Sequence, residues 1–281
     1  MRDTTRSRHS LSIHHPASIA IAALVMAGCA TGTSSPTNPV STGGAGAPSL
    51  AQGSPGTGLP SPVRVDKSLP PYAPFIDPAN FVSAVTNRYF PLKPGTTVVI
   101  EGTRDGIPRR DEQTVTNETK VIMGVPCVVV RDVATSQTAL VEKTTDWYAQ
   151  DKDGNVWYFG EDTAEYVDGK VSSTAGTWLA GVDGALPGLI MKAHPIVGDE
   201  YRQEFRPGIA EDYATVLQID ATQSTPAGDF QFVVVTEDID LLDRSKNEHK
   251  FYAPGVGLVA SDGTVSGPHE IRMLASILTS N

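Results

Sequence analysis

The chain has 281 residues, with 32 Asp and Glu against 22 Lys and Arg and a formal net charge of −10. That acidic balance, with no basic stripe along the chain, argues against a nucleic-acid partner. The sequence then divides into a leader, a low-complexity stretch and a folded region.

Residues 1–29 read as a targeting segment. Arg2, Arg6 and Arg8 form a basic start, and Ala17 to Ala27 is an apolar run too short to span a bilayer. The run ends at Met26-Ala27-Gly28-Cys29, and small residues just before a cysteine resemble the lipobox of bacterial lipoproteins. The resemblance implies cleavage before Cys29, a diacylglyceryl thioether on its sulfur and an amino terminus acylated by palmitate-like chains. Several such chains anchor stably, because each buried methylene contributes about 0.8 kcal/mol. The membrane, reached through this lipid, is thus an expected partner. Loss of the leader removes three arginines and one aspartate, so the mature chain is more acidic still.

Residues 30–70 are Gly, Ser, Thr and Pro with almost no large apolar side chain, as in TGTSSPTNPVSTGGAGAPS. Such a composition cannot offset the entropy of ordering by burial, so the stretch reads as a disordered tether. About 40 flexible residues have a root-mean-square reach on the order of 35 Å. Residues 71–281 form the folded region, the size of one large all-β domain or of two small fused halves. Cys127 is the only thiol in it, within the apolar run VPCVVV, so no disulfide is available and a buried, inert thiol is expected.

The folded region opens on a predicted short helix, with Asp77 as cap, Pro78 in the first turn and Phe81, Val82 and Val85 as an apolar stripe. Strand-like runs follow: Thr96 to Glu101, Glu112 to Ile122, Val125 to Asp132, Ala139 to Gln150 and Val156 to Asp162. After a glycine-rich middle come Glu200 to Phe205, Tyr213 to Ile219, Phe230 to Glu237, Lys250 to Tyr252, Gly257 to Ala260 and Glu270 to Leu278. Turn residues separate nearly all of them, which predicts a mainly β fold, an antiparallel sandwich or a half-open barrel with one short N-terminal helix.

The strongest local signal is DWYAQDKDGNVWYFGED, Asp146 to Asp162. Two aromatic strands flank an Asp-Gly pair, which supplies the positive φ that tight hairpins need. With Lys152-Asp153-Gly154 as the loop, Trp147 faces Phe159, Ala149 faces Trp157, and Tyr148 faces Tyr158 on the opposite surface. A two-residue turn would shift the pairing by one.

An echo at an offset of 104 residues links Gly124 to Gly228 and Tyr148 to Tyr252, each pair within similar valine-rich and aromatic surroundings. It suggests two duplicated β-meanders, about 95–180 and 196–281, whose concave face would make a ligand pocket.

Candidate chemistry is sparse. Asp151-x-Asp153-x-Asn155 has the alternating oxygens of a calcium loop, but its glycine falls too early, so a plain turn is expected. GxGxxA at Gly255 to Ala260 lies between strand-like runs rather than before a helix, and no GxSxG, P-loop or HExxH occurs in the folded region. No cofactor or metal is expected. The long apolar loop from Gly176 to Met191 precedes His194, Arg202, Glu204, Glu211 and Asp212. His194 with Glu204, Glu211 or Asp212 would make an acid–base or metal-assisted hydrolytic site if the imidazole came within about 5 Å of a carboxylate. Arg202 would clamp a carboxylate or satisfy an ion pair. Tyr148, Tyr158, Asp183, His194 and Arg202 are the candidate ligand contacts.

NRYFPLKPGT (Asn87 to Thr96), the aromatic hairpin, AGVDGALPGLIM and YAPGVGLV together resemble a functionally uncharacterised family of secreted or lipid-anchored bacterial proteins. The resemblance implies an extracytoplasmic, β-rich protein and supplies no reaction. In layout the chain is also similar to envelope carriers of lipid or acyl chains, a fold-level analogy. The expectation is a non-enzymatic envelope lipoprotein that binds an apolar or amphipathic ligand, or a protein partner. The alternatives are the His194 hydrolase and a passive surface spacer.

Overall fold

The structure, a computed structural model, describes Leu69, residues 71–263 and residues 269–280. The leader, Cys29 and nearly all of the tether lie outside the described residues.

The expected N-terminal helix is a single 3-10 turn, Pro78–Asn80, capped by Asp77, whose carboxylate accepts from the Ala79 amide. Its supposed apolar stripe belongs instead to two short strands, β1 (Phe81–Val82) and β2 (Val85–Thr86). β1 pairs with Gln150 and Asp151, and an extended backbone there satisfies amides that a helix would have turned inward on itself. β2 pairs with β3 (Pro91–Leu92).

A meander follows: β4 (Thr96–Arg104), β5 (Ile107–Ile122), β6 (Val125–Ser136), β7 (Ala139–Asp151) and β8 (Val156–Val167). Short strands β9 (Lys170–Ser173) and β10 (Trp178–Leu179) pair back onto β8. Then come β11 (Leu186–Met191), β12 (Glu200–Arg202) and β13 (Glu204–Phe205). A second meander ends the chain: β14 (Asp212–Thr225), β15 (Gly228–Asp240), β16 (Asn247–Ala253), β17 (Gly257–Gly263) and β18 (Glu270–Thr279). All the paired strands are antiparallel, and every strand-like run of the sequence falls within one of them except Glu200 to Phe205, which is divided between β12 and β13.

The ladder runs β12-β14-β15-β16-β17-β18-β4-β5-β6-β7-β8-β11-β13. Its two ends, β12 and β13, are separated by Gln203 alone. Arg202 pairs with Tyr213 of β14, while Glu204 pairs with Pro187 of β11. The Gln203 amide donates to the Asp212 carbonyl at 2.8 Å. One stretch of chain therefore passes its hydrogen bonds from one neighbour to the other, and the sheet closes nearly on itself as a barrel. Of the two expected architectures, the barrel is the one formed. The seam depends on Gly188, where a Cβ would stand 2.2 Å from the Gln203 carbonyl oxygen.

The hairpin at Asp146 to Asp162 forms with Gly154 at φ +91° closing the Lys152-Asp153-Gly154 loop. Tyr148 faces Tyr158 and Ala149 faces Trp157 as expected, but Trp147 faces Gly160 rather than Phe159. A bulge at Phe159-Gly160 inserts one residue, and Gly160 at φ +137° admits the Trp178 carbonyl where a Cβ would lie 2.5 Å away. Trp147, Ala149 and Phe159 pack outward from the lumen, where Phe81 meets the Phe159 ring edge-on at 5.6 Å. Full burial of rings such as Phe159 and Trp178 stabilises the wall by about 1.5–3 kcal/mol each. Tyr148 and Tyr158 point the other way, into the barrel.

Candidate functional site

The inside of the barrel is polar. β7 turns Glu142, Thr144, Asp146 and Tyr148 inward at a period of two, and β6 adds Asp132. Glu204 and Asp212 enter from the seam, Glu248, Lys250 and Tyr252 from β16 and Arg272 from β18. Together they enclose a cavity of about 140 Å³.

Two groups of carboxylates lie along or beside it. In the first, Arg272 lies 2.5 Å from Asp111 and also reaches Glu248 and Glu270, at 3.7 and 3.8 Å. Lys250 lies 3.0 Å from Asp238 and 3.1 Å from Glu248. These acids hold the two cations charged, raising the pKa of both in spite of burial. In the second group, Asp132, Asp146, Glu161, Glu204 and Asp212 form no ion pair among the described residues. Burial raises the pKa of every one and neighbouring carboxylates add to the rise, with Lys250 offsetting part of it at Glu204 and Asp212: Asp146 is pushed up to about 7 and Glu204 to about 8, with Asp132, Glu161 and Asp212 also well above the usual carboxylate range.

The second group is walled by aromatic rings. Tyr148 and Tyr158 stack at 4.6 Å, Phe90 meets Tyr148 edge-on at 5.1 Å and Trp178 meets Tyr158 edge-on at 5.3 Å. The Tyr158 hydroxyl donates to Asp146 Oδ1 at 2.5 Å and lies 3.3 Å from Glu161 Oε2. Gln113 donates to Asp132 Oδ2. Polar atoms remain without hydrogen bonds: Asp132 Oδ1, Glu204 Oε2 and Gln203 Nε2, on side chains that line the cavity. Trp178 Nε1 is turned toward Glu204 but makes no hydrogen bond of ordinary geometry.

A second cavity, of about 330 Å³, adjoins the first and is mostly apolar, with Val98, Val115, Pro91 and Ile277 among its walls. Phe90, Leu92, Gln113, Val130 and Leu258 line both. The segment carrying Phe90 is held by Asn87, whose side-chain nitrogen donates to the carbonyls of Gly154 and Lys192 while its oxygen accepts from the amides of Tyr89 and Phe90. The turn of YAPGVGLV closes the same cavity, and Gly255 donates its amide to the Arg88 carbonyl. Three of the sequence motifs thus meet at one place.

The candidates named from sequence separate accordingly. Tyr148, Tyr158, Glu204 and Asp212 line the inner cavity. His194 does not join them: it is exposed on the bend after β11, with no hydrogen bond or ion pair among the described residues, so the acid–base centre it would have headed is not assembled. Glu211 lies 3.4 Å from Arg202, whose guanidinium also covers the Phe205 ring, so this arginine is a satisfied ion pair rather than an open clamp. Asp183 is exposed and pairs with Arg206. The Asp151 carboxylate accepts from the Asn155 amide and side chain and from Trp157 Nε1, which makes the calcium-like triad a satisfied turn. Cys127 is buried, its thiol pushed up to about 12 by desolvation.

Sequence reasoning missed Asp132, Glu142, Asp146, Glu161, Lys250, Arg272 and Phe90. The available signal was acids recurring on one face of consecutive strands, as at Glu142 opposite Glu165 and Asp146 opposite Glu161. On an open sheet such a face reads as the solvated one.

No family model matches the chain, and no curated relative does. Among solved structures it is similar to a candidate lipoprotein from Parabacteroides distasonis ATCC 8503, at 13% identity over 68% of this chain and 99% of that one, with a TM-score of 0.40. It is similar also to a candidate exported protein with a YmcC-like fold from Bacteroides fragilis NCTC 9343, at 15% identity over 69% of this chain and 100% of that one, with a TM-score of 0.39.

Proposed function

We propose that this protein is an extracytoplasmic, lipid-anchored binding protein whose barrel takes up a small amphipathic molecule, the apolar part in the outer cavity and the polar part facing the inner one. The observation that carries the reading is the junction of the two cavities along Phe90, Leu92, Gln113, Val130 and Leu258, apolar on one side and charged on the other. A pocket with apolar walls and a few convergent polar groups is the usual form of a small-molecule site. The location rests on the leader and on Met26-Ala27-Gly28-Cys29. No helix of the described residues is long and apolar enough to cross a membrane, so the proposed attachment is through the lipid.

The outer cavity is tested with the neutral fluorophore N-phenylnaphthylamine. Saturable enhancement by the wild-type protein, lost in Val98→Trp with unchanged circular dichroism, is the expected result. No saturable binding, together with no ligand in native mass spectra of protein purified from its host, would leave the passive spacer as the better account.

A further inference from the structure

We infer that the inner chamber is a recognition site for an organic ammonium group, carried as the head of the amphipathic ligand. This deepens the reading above and depends on it for delivery of the ligand.

The fold gathers carboxyl groups in the lumen and, among the described residues, sets no cation in contact with several of them. The barrel brings more carboxylates into its lumen than Lys250 and Arg272 can neutralise, and those two cations are already engaged with Asp111, Asp238, Glu248 and Glu270. The remainder sits beside Tyr148, Tyr158 and Phe90. A buried carboxylate without a cation is costly to keep charged; the fold can hold it protonated, or a cationic ligand can supply the missing charge.

The hydrogen-bond inventory points the same way. Glu204, 5% exposed, keeps Oε2 without a donor, and Asp132 keeps Oδ1 without one. Both are acceptors, and an ammonium N–H answers both. Gln203, 2% exposed, offers an unpaired Nε2 to an oxygen of the ligand or to a bridging water.

The walls then decide between kinds of cation. A metal ion is held by oxygen, nitrogen or sulfur ligands, and among the described residues no three His, Cys, Asp or Glu side chains converge as a metal site. An organic ammonium uses ring faces as well as carboxylates, and aromatic cages with a nearby acid are its usual receptors. The stacked Tyr148 and Tyr158, with Phe90 at the junction of the two chambers, supply those rings where an apolar tail would leave the outer cavity.

The test uses the full folded protein and four probes that share an octyl tail: octylamine, octyltrimethylammonium, octanol and octanoate. Isothermal titration near neutral pH should rank octylamine at least about tenfold above octanol and octanoate, with octyltrimethylammonium between them, because it keeps the ring contacts and loses the N–H bonds. Glu204→Gln should erase most of the octylamine preference, and Tyr148→Leu that of octyltrimethylammonium. Persistent octanol binding in both variants reports that the barrel is intact. Equal affinity for all four probes, or preference for octanoate, would overturn the ammonium site and leave the amphipathic-ligand reading standing. Failure of all four to bind would sink both. Tight calcium or magnesium binding that octylamine cannot displace would replace the ammonium by a metal ion and equally refute the inference.

Discussion

Inside one barrel, two sets of buried carboxylates differ in whether a cation stands beside them. Around Arg272 and Lys250, the acids Asp111, Asp238, Glu248 and Glu270 share two cations, and each lies within ion-pair distance of at least one. Around Tyr148 and Tyr158, Asp132, Asp146, Glu204 and Asp212 have no such match. Burial alone cannot distinguish a structural charge from a functional one; the presence of its counter-charge can. The paired set stitches β5, β15, β16 and β18 together, and the unpaired set is where the proposed ligand head is placed.

The sharpest way to break this contrast is to remove a cation from the paired set. Arg272→Met should cost about 3–5 kcal/mol in urea unfolding, because Asp111 loses its ion-pair partner inside the barrel and Glu248 and Glu270 each lose one contact. A loss below about 1 kcal/mol would mean that both sets behave alike.

The pH dependence of the ligand-free protein should be the next largest effect. Asp146, at about 7, and Glu204, at about 8, both have folded pKa values above the ordinary carboxylate range. Their protonated forms are therefore favoured by the fold. Their stabilising contribution is complete below pH ~4, where the unfolded carboxylates also hold their protons, and it is lost as pH rises through about 7 and 8. Thermal unfolding across this window should show a fall of a few kcal/mol, which Glu204→Gln and Asp146→Asn flatten. A rise in stability over the same window would contradict an unpaired set.

Glu204→Gln and Asp111→Asn sharpen the comparison at fixed pH. Near pH ~8, Glu204→Gln should be neutral or stabilise the ligand-free protein by about 1–2 kcal/mol, since it removes a carboxylate that the fold must either protonate or bury charged. Asp111→Asn, on the paired side, should destabilise. Chemical denaturation of the two variants side by side decides it.

Tyr158→Phe should cost about 1 kcal/mol, the value of its hydrogen bond to Asp146, and should raise the Asp146 pKa further because that bond favours the carboxylate. Carbon-detected NMR titration of the Asp146 carboxyl would report the shift. Least of all, Asp183→Ala breaks an exposed pair with Arg206 and should change stability by less than about 0.5 kcal/mol.

Much of the fold could be read locally. Each long strand announced itself by β-branched and aromatic residues between Gly, Asp and Pro turns, and the Asp-Gly loop of the central hairpin formed as its chemistry requires. Where reading stopped, the missing information came from distant chain. Phe81 became a strand residue because Asp151 offers it a partner, and Trp147 slid past Phe159 because Trp178 needs room at Gly160. Asn87 could be quoted from a motif, but only the folded chain brings the Gly154 and Lys192 carbonyls to its amide and so sets Phe90 at the junction of the cavities.

Alternation along a strand tells which residues share a face and cannot tell whether that face looks inward or out. Glu142, Thr144, Asp146 and Tyr148 were determined by sequence to point together. That they point into a closed lumen was decided at Gln203, where one strand leaves β14 for β11 and Gly188 lets the backbones touch. Closure is a property of the whole ladder, set by hydrogen bonds between residues far apart in the chain, and it turned what reads as a solvated polar surface into the wall of an enclosed polar cavity.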